Sequence, residues 1–162
     1  MDIEMKTFDS KAAMYDHMAG ILSDMAKETA DATAFLANAS AVLKLFLKDV
    51  NWAGFYLMRK GALLVGPFQG KPAVPVIALG KGVCGTAAAE RETQIVGDVH
   101  ACKNHIACDI SSRSEIVVPL IHEEKLLGVI DIDSPKKGRF DDEDGQGLEI
   151  LAALIAGVLT KE

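Results

Sequence analysis

A thiol and three carboxylates lie beside two hydrophobic stretches in the second half of this chain. Cys108 stands in His105-Ile106-Ala107-Cys108-Asp109, ahead of an apolar run opened by Glu115, and the next apolar run carries Asp131 and Asp133. Carboxylates resist burial without a partner, and a thiol becomes a nucleophile only where its surroundings favour thiolate. Gathered together, these groups describe a thiol site that handles a small cationic ligand.

The placement of the acids follows from strand geometry. In Lys125–Asp133 the alternation puts Leu127, Val129, Asp131 and Asp133 on one face and Leu126, Gly128, Ile130 and Ile132 on the other. Read alone, the strand leaves the core and its last carboxylates are solvated. Glu115 changes that reading, because a hairpin across His122-Glu123-Glu124 returns the start of one strand to the end of the other. Three neighbouring carboxylates repel, so one has a raised pKa or they share a cation. A metal ion and an ammonium group both fit. The lack of a calcium-loop pattern favours an amine, such as that of a free amino acid, over a metal; no bound cofactor is expected.

The remaining thiols and aromatics each carry two readings. Cys84, in Gly82-Val83-Cys84-Gly85-Thr86, sits at a turn into a short helix, where unpaired amides favour thiolate; otherwise it is a small buried residue. Cys102 is a second loop thiol or an incidental surface one. His100, Cys102, His105 and Cys108 form a compact set of soft ligands, although structural zinc sites usually join two separated clusters. Trp52 and Tyr56 share a strand face, as core aromatics or as the wall over a small methyl-bearing group.

These groups need a scaffold, and the pattern supplies one. Met14, Met18, Ile21, Leu22 and Met25 recur at helical spacing over about 10–26, and Phe35, Ala39, Val42, Leu43 and Phe46 over about 31–48. Asn51–Met58 alternates as a strand, and Arg59-Lys60-Gly61 turns into Ala62–Val65. Gly66-Pro67-Phe68-Gln69-Gly70 breaks that strand into a loop. Short elements follow at 73–78, 83–90 and 94–96, then an irregular stretch over 97–113, the hairpin of 114–133, and a closing helix over about 141–160. The expectation is α+β, one domain over 1–162 with a mostly antiparallel sheet and helices packed on one face.

Composition bounds the partners. A net charge of −6 without a basic stripe excludes nucleic acid. The longest apolar run, Ile150–Leu159, is far below the roughly 18 residues of a membrane span. The start lacks a secretory h-region, and three cysteines point to a reducing, cytoplasmic setting with reactive thiols.

From Asn51 onward the chain resembles the free methionine-(R)-sulfoxide reductases, built on a GAF domain. The resemblance rests on Asn51-Trp52-Ala53-Gly54-Phe55-Tyr56, Gly66-Pro67-Phe68-Gln69-Gly70-Lys71, Gly82-Val83-Cys84-Gly85-Thr86, Asp98-Val99-His100, the Cys108 pentapeptide, Ser114-Glu115-Ile116-Val117 and Gly128-Val129-Ile130-Asp131-Ile132-Asp133-Ser134. It implies a GAF fold, reduction of free methionine (R)-S-oxide, recycling by thioredoxin as external reductant, and a homodimer as a compatible assembly. It further implies Cys108 as the catalytic thiol, Cys84 in resolving or recycling, Glu115, Asp131 and Asp133 in the substrate site, and Trp52 and Tyr56 in an aromatic pocket. One departure stands out. Val74 occupies a position where the family usually has the resolving cysteine, while Cys102 is extra, so resolution falls to Cys84 or Cys102. Two rival expectations are a GAF domain that only senses a small ligand and a zinc module built on the His/Cys loop.

Overall fold

The structure, a computed structural model, describes residues 3–103 and 111–160. The helix starts follow from side chains that accept the first free amides. Ser10 accepts from the Ala13 amide to open α1 (Lys11–Glu28), and Asp31 from the Ala34 amide to open α2 (Ala32–Phe46). Asp141 and Asp144 form a reciprocal capping box at the start of α4 (Asp142–Leu159).

Between α2 and α4 lie β1 (Trp52–Arg59), β2 (Ala62–Gln69), β3 (Val76–Ala78), α3 (Gly82–Glu90), β4 (Gln94–Val96), β5 (Ser114–His122) and β6 (Lys125–Ser134). A 3-10 turn at Val99–Ala101 follows β4. The strands form one six-stranded sheet in the order β3-β2-β1-β6-β5-β4, with antiparallel pairing throughout. Both long hairpins turn through two residues of positive φ, Lys60-Gly61 and Glu123-Glu124. That geometry matches the right-handed twist of the strands.

The two sheet faces bury different things. One packs Ala53, Phe55, Ile116, Val118, Leu120, Ile130 and Ile132 against α1, α2 and α4. This is the expected helical layer. The other gathers Trp52, Tyr56, Val117 and Val129 with Val83, Cys84, Ala87 and Ala88 of α3. The short helix therefore lies opposite the long ones, which places Cys84 on the face of the acids.

Two local readings change. β2 does not stop at Val65 but runs through Gly66-Pro67 to Gln69, and an irregularity in its register against Gly54–Tyr56 absorbs the break. Leu127 does not share the face of Val129: Leu127 packs with the helical layer and Leu126 with the α3 side. The cause is a bulge, since Leu120 pairs with Gly128 and Ile121 with Leu126. Gly128 takes φ +158°, and a side chain there would meet the Tyr56 carbonyl. Beyond the bulge the alternation holds as read, so Val129, Asp131 and Asp133 remain in line. Pro119, inside β5, lies past the residues that β4 pairs with, Glu115–Val117, so its missing N–H interrupts no ladder with β4.

Candidate active site

The sheet register builds the site. Trp52 of β1 pairs with Asp133 of β6, which pairs on its other side with Glu115 of β5. The next row on the same face is Gly54, Asp131 and Val117. The hairpin thus brings the three acids together, and all three are buried: Asp131 is 2% exposed, Glu115 4% and Asp133 4%. The solvated reading of the strand end is wrong for this reason.

α3 then lowers a thiol onto them. Cys84, in the first turn of α3 and 3% exposed, donates to Glu115 Oε1 at 3.9 Å. Sγ of Cys84 and one oxygen each from Glu115 and Asp131 all lie within 4.8 Å of one another. Asp131 Oδ1 is buried with no hydrogen-bond partner among the described residues.

Charge crowding dominates the electrostatics. Burial, then the Asp133 charge, push Glu115 up to about 8, while hydrogen bonds from Asp131 and Cys84 pull it back. Burial, then Glu115, raise Asp131 well above the usual carboxylate range. Burial, then the Asp131 and Glu115 charges, raise the Cys84 thiol. Near neutral pH, Glu115 and Asp131 therefore hold a proton between them. The expectation that helix amides make Cys84 a thiolate fails, because burial and then the adjacent carboxyls outweigh the first turn of a short helix.

The aromatic residues adjoin this cluster. Trp52 is stacked between Tyr56 (centroids 6.0 Å apart) and Phe68 (5.0 Å). Both sequence-predicted aromatics are fully buried, and their polar tips hold the segment after β2. The Trp52 indole donates to the Lys71 carbonyl at 3.1 Å and the Tyr56 hydroxyl to the Val74 carbonyl at 2.9 Å. Gly70 permits this crossing: at φ +145°, an added Cβ would lie 2.5 Å from the indole. Phe68 escaped the sequence reading because its strand was ended at Val65.

Cys108, His105 and Asp109 lie outside the described residues, so the catalytic assignment and half of the His/Cys ligand set have no geometry here. The residues just after that segment are fastened to the residue that precedes β1, since Asn51 Nδ2 donates to Ser112 Oγ at 3.1 Å and to Ser111 Oγ at 3.3 Å. Cys102 is partly buried and packs against the cluster that contains Cys84 and Trp52. Among the described residues no helix is long and apolar enough to cross a membrane.

The GAF domain family model (GAF_2) matches residues 30–160. The free methionine-R-sulfoxide reductase of Escherichia coli is 54% identical over 126 residues, covering 78% of this chain and 76% of that protein. The protein of the same name from Saccharomyces cerevisiae is 52% identical, covering 74% and 71%. The X-ray structure of free methionine-R-sulfoxide reductase from Neisseria meningitidis, in complex with its substrate, superposes with a TM-score of 0.93 at 39% identity, covering 99% of this chain and 97% of that one. The six-stranded sheet, the face it devotes to buried acids and these identities lead to one conclusion: this chain belongs to the free methionine-R-sulfoxide reductase family of GAF-domain proteins.

Proposed function

We propose that this chain reduces free methionine (R)-S-oxide to methionine, with Cys108 as the attacking thiol. The observation that carries the reading is the buried meeting of Glu115, Asp131 and Cys84 beside the Trp52 stack, in a chain of this family. Glu115 and Asp131 between them hold a proton at neutral pH, which suits a general acid toward the sulfoxide oxygen. Asp133 and the unprotonated carboxylate attract the substrate ammonium, a group that a residue inside a protein lacks. Trp52 and Tyr56 supply the apolar wall for the S-methyl group. Because both are fully buried, whatever covers them must move aside as substrate enters, and the segment held by the Lys71 and Val74 carbonyls is one such cover.

The reaction balances as oxygen transfer. The sulfoxide oxygen passes to the Cys108 sulfur, methionine leaves with two more electrons, and Cys108 becomes a sulfenic acid. A second thiol condenses with it, releasing water and forming a disulfide. A dithiol reductant of the thioredoxin class, in a reducing cytoplasm, restores both thiols. Cys84 is the first candidate for that second thiol: the carboxylate 3.9 Å away can receive its proton as it attacks. Cys102, partly exposed, is the alternative. No step needs a bound cofactor. α1 precedes the residues matched by the family model, yet Lys11 and Tyr15 both bond Asp144 of α4, which supports one domain over the whole chain.

A coupled NADPH-oxidation assay with thioredoxin and its reductase, run on free R and S epimers, tests the activity. Turnover of R and not S is expected, lost in Cys108→Ser; equal rates in that variant would end the proposal. Mass spectrometry of Cys84→Ser and Cys102→Ser after one turnover identifies the resolving thiol, as the variant in which the sulfenic acid persists.

A further inference from the structure

We propose that Cys84, Glu115 and Asp131 also form a binding site for a thiophilic divalent cation of the zinc class, and that the bound ion excludes the substrate ammonium. The inhibitory part rests on the substrate reading above; the binding part does not.

The donors are of mixed type and already assembled. A sulfur and two carboxylate oxygens, all buried, lie within 4.8 Å of one another, with Sγ and Glu115 Oε1 at 3.9 Å. Around one zinc ion, with Zn–S about 2.3 Å and Zn–O about 2.0–2.2 Å, such donors stand roughly 3.5 Å apart. A contraction of about an ångström closes the set, which leaves a fourth tetrahedral position for water.

A second observation concerns the same carboxyl. Asp131 Oδ1, on a side chain that is 2% exposed, is buried with no hydrogen-bond partner among the described residues. Such an atom is costly to keep unless something visits it. A cation supplies what it lacks and also relieves the repulsion among the acids. The donor set chooses the ion: thiolate favours zinc and its soft neighbours over magnesium or calcium. On binding, the Cys84 proton and the proton held between Glu115 and Asp131 both leave to solvent, so a thiolate and two carboxylates face a dication. The site differs from the His100/Cys102/His105/Cys108 set, sharing no residue with it.

Cobalt(II) is the probe, because thiolate coordination gives it a near-ultraviolet charge-transfer band. The full chain carrying Cys102→Ser and Cys108→Ser keeps Cys84 as its single thiol and is titrated under reducing conditions. A saturable band with one ion per chain is expected, displaced by zinc and not by magnesium. In the same background Asp131→Asn, matched for fold by circular dichroism, weakens binding about tenfold or more. Absence of the band in the Cys84-only protein, or an unchanged affinity with Asp131→Asn, overturns the site. Adding free methionine (R)-S-oxide to the cobalt complex then tests exclusion: loss of the band supports it, and a band that persists at saturating substrate overturns that part alone. No turnover enters these readings, so failure of the reductase assay and failure of metal binding are separate results.

Discussion

Two buried carboxylate clusters in this chain are built to opposite specifications. At the junction of α1 and α4, Asp144 is fully buried and its carboxylate accepts from three side chains and an amide. Tyr15 donates to Oδ1 at 2.8 Å, Lys11 to Oδ2 at 2.7 Å and Arg139 to Oδ2 at 3.3 Å. The Asp141 amide closes the set at 3.1 Å. On the other side of the sheet, Glu115 and Asp131 face each other, a thiol and Asp133, and each is pushed toward its protonated form. The first cluster is complete within the protein and fixes two helices together. The second holds a repulsion that a cationic ligand would relieve. Burial of an acid therefore carries no functional meaning by itself; the sign of its neighbours does.

Breaking each cluster in turn tests that difference. The largest effect is expected from Asp144→Ala, which leaves Lys11 and Arg139 without their buried partner. About 3–5 kcal/mol of stability should be lost, seen as a lower urea midpoint, with turnover per folded molecule unchanged. Asp131→Asn should do the reverse. Its kcat/KM for the free sulfoxide should fall about 100-fold, near 2.7 kcal/mol in transition-state terms, with a midpoint equal to or above that of the parent. Loss of stability without loss of rate there would erase the distinction between the clusters.

The pH dependence separates them further. A carboxyl raised in the folded state binds its proton more tightly folded than unfolded. Glu115 thus makes the protein lose stability as pH rises from about 4.5 to about 8, by an amount on the order of 5 kcal/mol, and nothing more above that. Glu115→Gln should flatten that alkaline slope in denaturant titrations across the window. Asp141 has the opposite sign. Its hydrogen bond with Lys11 holds it at about 2, so its contribution is present above about 3.8 and lost as pH falls through 2. With Asp141 half-exposed, Asp141→Asn should cost only a few tenths of a kcal/mol at pH 7 and soften the acid limb.

The contrast between the clusters was only half legible in the sequence. Glu115, Asp131 and Asp133 could be brought together on paper because a short turn joins their strands, and local geometry then dictates adjacency. Cys84 could not be placed over them: its neighbours in the chain announce a helix start, and no local signal says which sheet face that helix covers. Asp144 reads as an ordinary acid in the first turn of a helix, since Tyr15, which identifies it as a buried anchor, is 129 residues away. Strand ends failed where a bulge absorbed a breaker. Gly66-Pro67 has the local signature of a stop and Gly128 that of one more step of alternation, and the register shifts at both place Phe68, Leu126 and Leu127 differently from that local pattern.

The β5–β6 hairpin carries all three site acids near one end and turns at the other through Glu123 and Glu124, both held at positive φ. Glutamate adopts that backbone reluctantly, whereas asparagine followed by glycine takes it readily. Some seven residues of strand, roughly 23 Å, separate the turn from Glu115. An engineer who wants a hardier catalyst thus has a place to reinforce the scaffold at a remove from its chemistry, where relieved strain would offset what the crowded acids take away.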